Sequence, residues 1–308
     1  MKSVIHKLKY PCRNSLYIMR EDLLPFSFGG NKVRIALEFF RDMKAKGRGC
    51  IIGYGSARSN LVRAIANLAG MFLPEGRVHI VSPSEADGSR PHTFNRTIAG
   101  ICGAKFTYCT RENVAETVEG VMRRCEAEGL KPYYVNGDKY GRGNEAVPVC
   151  AYYRAYHEIA GWQEETGIKF QHIFLPVGTG MTIAGLIAGK HELCGEENIT
   201  GISIARPELS AVESACRYLA AFGEINVDEL DITGKYLRGG YGLYDEEVLN
   251  TIKIMLRLNG IPLDPTYTGK AFTGMCSYIE EHDISGKNIL FIHTGGTPLF
   301  FDSIIDIT

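Results

Sequence analysis

A lysine near the N-terminus combines the residue type and the spacing needed for covalent chemistry on a carbonyl compound. Lys32 follows Gly29, Gly30 and Asn31 and lies in the first turn of a predicted helix, 31–43. Glycines let the backbone bend closely behind the side chain, and such a lysine suits a bound carbonyl compound better than open water. Most Gly-Gly-Asn-Lys strings are ordinary turns before a helix, so the functional interpretation depends on the remaining chain.

A glycine loop in the second half of the chain has the composition of a phosphate site. It runs from Gly178 through Thr179, Gly180 and Met181 to Thr182, between a predicted strand and a helix. Glycines expose backbone N–H groups, the threonines add hydroxyls, and a helix N-terminus adds partial positive charge. No Gly-Lys-Ser/Thr follows, and the dinucleotide fingerprint is not matched. The loop therefore predicts a monophosphate site, and a tight strand-to-helix turn is the alternative.

Three further polar residues follow predicted strands. Ser59 and Asn60 open a helix, and Thr294 precedes two glycines after the strand 288–293. Ligands bind at the carboxyl ends of strands in open parallel sheets, so these loops can converge on one ligand. Ser59 and Asn60 are equally suited to be helix N-caps, and the Thr294 loop to be a turn.

Two tyrosines lie on glycine-containing loops rather than on an apolar helix face. Tyr241 stands among three glycines, and Tyr267 lies between Pro265 and Gly269. Tyrosines held near a pocket in this way can act as acids, bases or ring stackers, although each by itself is more often a packing residue. Lys270 also opens a helix, and we expect it to be a solvated lysine at the end of a loop.

The elements that must position these residues alternate between strand and helix. This alternation predicts an α/β fold with two lobes of parallel-type sheet flanked by helices. We place the smaller lobe at 46–147 and assign 1–45 with 148–308 to the larger lobe, which contains the predicted phosphate loop. Residues 223–244 are expected to be irregular. The predicted strands are 50–55, 78–82, 105–109, 133–135, 172–176, 199–204 and 288–293, and the predicted helices are 31–43, 61–70, 94–103, 114–129, 145–166, 183–194, 210–222, 246–259 and 271–281.

The composition argues against several classes of partner. The chain has 308 residues, with 34 basic and 35 acidic side chains and no basic stripe, which argues against nucleic acid. Its most apolar window, 173–189, is interrupted by Pro176 and glycines and is too short to span a membrane. The nine cysteines form no Cys-x-x-Cys pair, so we expect no metal site and free thiols in the cytoplasm. The segment from Met1 to Tyr10 does not have the pattern of a signal peptide.

These loops, in this order, resemble the fold-type II pyridoxal-5′-phosphate enzymes, specifically the D-cysteine desulfhydrase and 1-aminocyclopropane-1-carboxylate deaminase family. The resemblance extends over nearly the whole chain and implies a fold similar to that of the tryptophan synthase β-subunit. The matching segments are Arg20-Glu21-Asp22-Leu23, Gly29-Gly30-Asn31-Lys32-Val33-Arg34, Ser59-Asn60, 178–182, Gly240-Tyr241-Gly242, 263–271 and Phe291-Ile292-His293-Thr294-Gly295-Gly296.

The resemblance assigns a role to each motif. It implies that Lys32 forms a Schiff base with pyridoxal 5′-phosphate and shuttles a proton, and that the 178–182 loop holds the phosphate. Asn60 would bond the 3′-oxygen of the cofactor, Ser59 would touch the substrate carboxylate or carry a proton, and Thr294 would face the pyridine nitrogen. Tyr241 and Tyr267 match the two active-site tyrosines of the family. A homodimer is also implied.

The chain departs from the family pattern near the predicted site. Ile35 stands where relatives usually carry a lysine that helps neutralise the phosphate. Arg58 and Leu61 flank Ser59 and Asn60, where polar amides or histidine are usual, so Arg58 is a candidate to bind an acidic substrate group or to replace the missing lysine. Thr268 follows the second tyrosine, where the deaminases have a glutamate.

The predicted function is therefore elimination from a small amino acid, as in D-cysteine desulfhydrase, giving a keto acid and ammonia. A β-replacement synthase similar to cysteine synthase is the first alternative. A ring-opening deaminase is disfavoured by Thr268. A phosphate-binding protein without catalysis remains the alternative from a different class.

Overall fold

The computed structural model describes residues 1–83 and 92–307 of the chain. The strands are Val4–Lys7 (β1), Ser15–Arg20 (β2), Cys50–Tyr54 (β3), Val78–Pro83 (β4), Lys105–Cys109 (β5), Pro132–Tyr134 (β6), His172–Val177 (β7), Asn198–Ser203 (β8), Asp231–Thr233 (β9) and Asn288–His293 (β10). The helices are Asn31–Ala45 (α1), Asn60–Phe72 (α2), Phe94–Ile101 (α3), Val114–Ala127 (α4), Ala146–Thr166 (α5), Met181–Leu193 (α6), Glu208–Phe222 (α7), Glu246–Asn259 (α8), Thr268–Glu281 (α9), Thr297–Asp302 (α10) and Ile304–Ile307 (α11).

The chain divides into two compact units. Unit 1 combines Met1–Asn31 with Val149–Thr308, and unit 2 is Lys32–Pro148. Both units contain a sheet of mainly parallel strands with connecting helices, so the predicted α/β fold class is confirmed.

Unit 1 contains a six-stranded sheet in the order β1-β2-β10-β7-β8-β9. All neighbouring strands are parallel except β1, which pairs antiparallel with β2 at one edge. Apolar side chains of the central strands, including Ile18, Phe174 and Phe291, pack in a core with Phe272 of α9. Because β2, β10 and β7 are parallel neighbours, the segments that follow these three strands leave the same edge of the sheet.

Unit 2 contains a four-stranded parallel sheet in the order β5-β4-β3-β6. Its first helix, α1, packs within this unit: the Phe40 and Phe72 rings stack with centroids 4.9 Å apart, and the Tyr133 hydroxyl donates to Asp42 Oδ2 at 2.6 Å. These contacts explain why the unit begins at Lys32, whereas the lobe predicted from the sequence begins at residue 46.

The largest differences from the predicted elements lie in short segments. β1 and β2 were not predicted, and the region 223–244, expected to be irregular, contains β9. Strands of three to six residues carry little periodic signal of their own, and pairing with a neighbouring strand decides their conformation. In residues 1–83 and 92–307 no helix is long and apolar enough to cross a membrane.

Candidate active site

The segment before Lys32 holds an unusual run of left-handed backbone. Phe26, Ser27 and Phe28 have φ angles of 75°, 50° and 57°, and the two glycines that follow are also left-handed. Such a conformation costs about 1–2 kcal/mol for each non-glycine residue, so the surrounding structure must stabilise it. Two backbone bonds do so: the N–H of Gly30 donates to Glu21 O at 2.7 Å, and the N–H of Asn31 donates to Thr294 O at 3.0 Å.

A close backbone approach joins this segment to the loop after β10. A Cβ atom added to Gly30, whose φ is +99°, would lie 2.9 Å from Thr294 O, so only glycine fits here. The Asn31 side chain extends the connection, because its Nδ2 donates to Thr182 Oγ1 at 2.9 Å. The segments after β2, β10 and β7 are thus held together, as their neighbouring positions in the sheet require.

The loop from Gly178 to Thr182 has the geometry of an anion cradle. Gly180 is left-handed, with a φ of 91°, and is the N-cap of α6. A Cβ there would lie 2.6 Å from the backbone of Ala215, so α7 packs directly behind the loop. Within the described ranges, no N–H group from Gly178 to Thr182 donates a backbone hydrogen bond. Together with the helix N-terminus, these free N–H groups suit a phosphate.

The two predicted tyrosines lie together in unit 1. Their hydroxyl oxygens are 3.0 Å apart, and the rings meet edge to face with centroids 6.0 Å apart. Tyr267 also lies next to the glycine loop, because a Cβ built on Gly178 would be 4.0 Å from its Cε1. The tyrosine pair and the anion cradle therefore belong to one region, and the two hydroxyls can pass a proton to each other.

Asp264 builds the turn that carries Tyr267, a role that the sequence analysis missed. Its buried carboxylate accepts hydrogen bonds from the N–H groups of Thr266, Tyr267 and Thr268, and from Thr268 Oγ1. Burial raises the pKa of this carboxyl, and the hydrogen bonds from the turn act in the opposite direction. An aspartate two residues before a Thr-Tyr-Thr string is a recognisable turn signal that could have identified it.

The position of Lys270 in the structure shows that its predicted role was wrong. The sequence suggested a solvated lysine, but the side chain is fully buried. Its Nζ donates to Ile204 O at 3.1 Å and to Gly240 O at 2.6 Å, and burial lowers its pKa to about 8. Lys270 therefore connects the end of β8 to the loop that carries Tyr241.

His293, at the end of β10, is a structural residue with a defined tautomer. The N–H of Gly295 donates to His293 Nδ1 at 3.1 Å, so Nδ1 carries no proton and Nε2 donates to Pro262 O at 3.0 Å. Asp22 Oδ1 lies 3.8 Å from the same Nδ1. The hydrogen bonds of His293 shape the turn that presents the neighbouring Thr294.

In unit 2, the predicted residues Ser59 and Asn60 follow β3. Ser59 is the N-cap of α2, and its Oγ accepts from the N–H of Val62 at 3.2 Å, so the capping role considered from the sequence is present. Asn60 is half-buried, and its Oδ1 accepts from Arg63 and from Asn95. Arg63 and Asn95 were not predicted. Arg63 lies one helical turn after Asn60, which is a usable signal, whereas the approach of Asn95 depends on the packing of α3.

Lys32 begins unit 2, directly after the Asn31 that is bonded to both loops of unit 1. Burial of its amine lowers its pKa to about 8, and no acceptor for its Nζ lies in the described part of the chain. Such an amine is neutral in a larger fraction at physiological pH than an ordinary lysine and has a lone pair available for a carbonyl carbon.

Comparison with known proteins identifies the family. A family model described as "Pyridoxal-phosphate dependent enzyme" matches residues 5–295. The chain belongs to this family. The predictions of an enzyme and of pyridoxal 5′-phosphate as its cofactor are thereby confirmed.

Individual relatives of this pyridoxal-phosphate-dependent enzyme agree with that assignment. D-cysteine desulfhydrase from Serratia proteamaculans (strain 568) is 29% identical over 296 residues, covering 93% of this chain and 88% of the relative. The protein of the same name from Yersinia pestis (strain Pestoides F) is 30% identical with the same coverage. A solved structure of an ACC deaminase homologue matches with a TM-score of 0.82 and 27% identity, covering 100% of this chain and 94% of that structure.

The described residues fit the cofactor. Unit 1 supplies an anion cradle for the phosphate, and Thr294 is a buried neutral hydroxyl residue available for the pyridine nitrogen. In unit 2, Lys32 and Asn60 carry the amine and the amide that were predicted from the sequence. No group of three or more metal-ligating side chains occurs in the chain outside residues 84–91 and 308. The separate role of each site residue stays a prediction.

Proposed function

We propose that this pyridoxal-phosphate-dependent enzyme is a lyase that catalyses α,β-elimination from a small amino acid, with D-cysteine as the first candidate substrate. The observation that carries this proposal is the similarity, at 29–30% identity over 93% of the chain, to proteins named D-cysteine desulfhydrase. With cysteine the reaction consumes one water and releases pyruvate, hydrogen sulfide and ammonia, which balances all atoms and electrons.

The residues of the chain divide the work of this reaction. The bound cofactor supplies an electron sink for the charge that develops at Cα. Lys32 would hold the cofactor and would move the Cα proton. The loop from Gly178 to Thr182 anchors the phosphate, and the paired hydroxyls of Tyr241 and Tyr267 supply or remove a proton at the departing β-substituent.

The position after the second tyrosine supports elimination over ring opening. Thr268 is fully buried, donates to Asp264 Oδ2 at 2.8 Å and accepts from the N–H of Asp264 at 2.9 Å. Both functions of its hydroxyl are therefore used in the turn, and the side chain is not available to a ligand.

Product release from paired substrates tests this proposal. Purified enzyme loaded with pyridoxal 5′-phosphate is incubated with D-cysteine, L-cysteine and other small D- and L-amino acids, and keto acid, ammonia and sulfide are measured. We expect the three products in equal amounts from at least one cysteine enantiomer. A thiol added as second substrate leaves the keto-acid yield of an eliminating enzyme unchanged, whereas a β-replacement synthase diverts it. Absence of keto acid from all substrates overturns the proposal.

We further propose that the enzyme acts as a homodimer in the cytoplasm. The homodimer follows from the resemblance to its family. All nine cysteines lie in the described ranges and are free thiols, as is usual in a reducing compartment. Sedimentation equilibrium of the holoenzyme is expected to give twice the chain mass of 34.1 kDa, and a single-chain mass would contradict the dimer.

A further inference from the structure

Asn60 is held by two side chains that lie behind it in unit 2. Its Oδ1 accepts from Arg63 Nη1 at 2.6 Å and from Asn95 Nδ2 at 2.9 Å. Arg63 lies on the same helix and is fully buried, and Asn95, on α3, is also buried. Both lone pairs of the amide oxygen are thereby used by protein donors.

This network determines which way each amide points. A guanidinium group can donate but cannot accept, so every amide that meets Arg63 must present its oxygen. Asn95 Oδ1 accepts from Arg63 Nη1 at 2.6 Å, and its Nδ2 donates to the backbone oxygen of Arg58 at 2.9 Å as well as to Asn60. The orientation of Asn95 is therefore fixed by a cation on one side and a carbonyl on the other, and that of Asn60 follows from it.

With its oxygen turned inward, Asn60 directs its Nδ2 away from the network. No acceptor for this Nδ2 lies within hydrogen-bond distance in residues 1–83 and 92–307. Burial lowers the pKa of Arg63 to about 10, so its guanidinium remains charged at neutral pH. A buried positive charge on the oxygen side of an amide polarises that amide and makes its N–H groups stronger donors to an anionic oxygen.

We infer that Arg63 and Asn95 are positioning residues, which hold the Asn60 amide so that its NH₂ group donates to the deprotonated 3′-oxygen of pyridoxal 5′-phosphate. This inference rests on the proposed role of Asn60 in cofactor binding. Neither residue touches the cofactor. They act by excluding the reversed amide, which would turn a carbonyl oxygen toward the anion and repel it.

The substitution Asn95→Asp tests the orientation with almost no change in volume. The new carboxylate still accepts from Arg63 but loses the donors to Asn60 Oδ1 and Arg58 O, and it sets a negative charge against the Asn60 oxygen. The Asn60 oxygen then keeps only the Arg63 donor and faces a negative charge in place of the other, so the inward orientation of this oxygen is less strongly favoured. Asn67→Asp is the matched control, because Asn67 lies further along α2 and its Nδ2 donates to Cys102 Sγ at 3.6 Å.

Two properties of the bound cofactor are measured, together with thermal unfolding of the apoprotein. We expect the dissociation constant for pyridoxal 5′-phosphate to rise about tenfold in Asn95→Asp, as for one lost hydrogen bond to a charged group. We also expect the absorbance of the bound cofactor to move from the visible band toward the near-ultraviolet, because the 3′-oxygen keeps its proton. The substitution Asn60→Ala should shift the absorbance in the same direction. Asn67→Asp should change neither property.

Arg63→Gln, which removes the buried charge, is measured in parallel as a second variant. The inference is overturned if either variant keeps its circular dichroism and binds the cofactor with wild-type affinity and spectrum. Weaker binding with an unchanged spectrum indicates a structural role only and also overturns it. If the wild-type protein itself takes up no pyridoxal 5′-phosphate, the proposed function fails instead, so the two failures are distinguishable.

Discussion

Lys32 and Lys270 lie at the starts of two helices in different units of the chain, and burial lowers the pKa of each to about 8. Their hydrogen bonds differ. Lys270 donates to two backbone carbonyls, which also stabilise its charged form, whereas no acceptor for Lys32 Nζ lies in the described residues. A lowered pKa alone therefore does not identify a nucleophile. The environment of Lys32 leaves its lone pair available for chemistry, and that of Lys270 uses the ammonium group to hold a loop.

The largest effect is expected from Lys32→Ala. Without this amine the cofactor has no covalent attachment, so the visible absorbance of the linked cofactor should disappear, and turnover should fall by more than about 10³-fold. Absorption spectra after gel filtration and initial rates of keto-acid release measure both effects. If the linked cofactor instead persists in Lys32→Ala and is lost in Lys270→Ala, the two lysines have the opposite roles.

Lys270→Met should preserve the covalent link and impair the Tyr241 loop. The carbonyls of Ile204 and Gly240 lose their donor, so we expect the free energy of unfolding to fall by about 2 kcal/mol and kcat/KM by about 10- to 100-fold. Denaturant titrations and steady-state kinetics provide the two measurements. The exposed Lys287→Met serves as the control and should leave both unchanged. Wild-type kcat/KM in Lys270→Met would contradict its loop-positioning role.

The lowered pKa of Lys32 predicts the pH dependence of cofactor attachment. Only the neutral amine reacts, and with a pKa of about 8 the neutral fraction is about a tenth at pH 7 and approaches one above pH 9. The rate at which the apoenzyme takes up pyridoxal 5′-phosphate should therefore rise roughly tenfold from pH 7 and then level off. Stopped-flow absorbance measures this rate. A rate that still increases about sevenfold between pH 9 and 10 would show an ordinary lysine pKa.

The smallest effect concerns position 35, one helical turn after Lys32, where the family pattern has a lysine and this chain has an isoleucine. Ile35 is fully buried, and Arg58, exposed next to Ser59, is the candidate replacement. Arg58→Gln should weaken cofactor binding or raise KM by a factor of about three to ten, as for one exposed charged contact. Equilibrium dialysis with the cofactor and steady-state kinetics separate these two roles. If neither quantity changes, Arg58 has no part in the site.

Much of the fold was predictable from the pattern of the chain. β5, α8 and β10 have the predicted bounds, because each has a clear apolar pattern and distinct flanking residues. β1, β2 and β9 were missed since their conformation depends on neighbouring strands. The start of α9 was placed three residues late, because the hydrogen bonds of Asp264 that define it are not visible as helical periodicity.

The candidate site was predictable only in part. Lys32, the glycine loop and the two tyrosines carry local signals, and the structure holds the loop and the tyrosines in one region of unit 1. The supporting contacts were not predicted, since Asn95 lies 35 residues from Asn60 and Lys270 lies 66 residues from Ile204. Their functions arise from contacts between distant segments, which spacing along the chain does not reveal.

The sequence by itself determined the α/β class, the candidate phosphate loop and the candidate lysine, because backbone freedom at glycines, strand and helix periodicity and side-chain chemistry are local properties. Only the tertiary structure decided which lysine is engaged by carbonyls and which has a free amine, and which way the Asn60 amide points. Both outcomes depend on burial and on the direction of hydrogen bonds, and these exist only once distant segments have packed together.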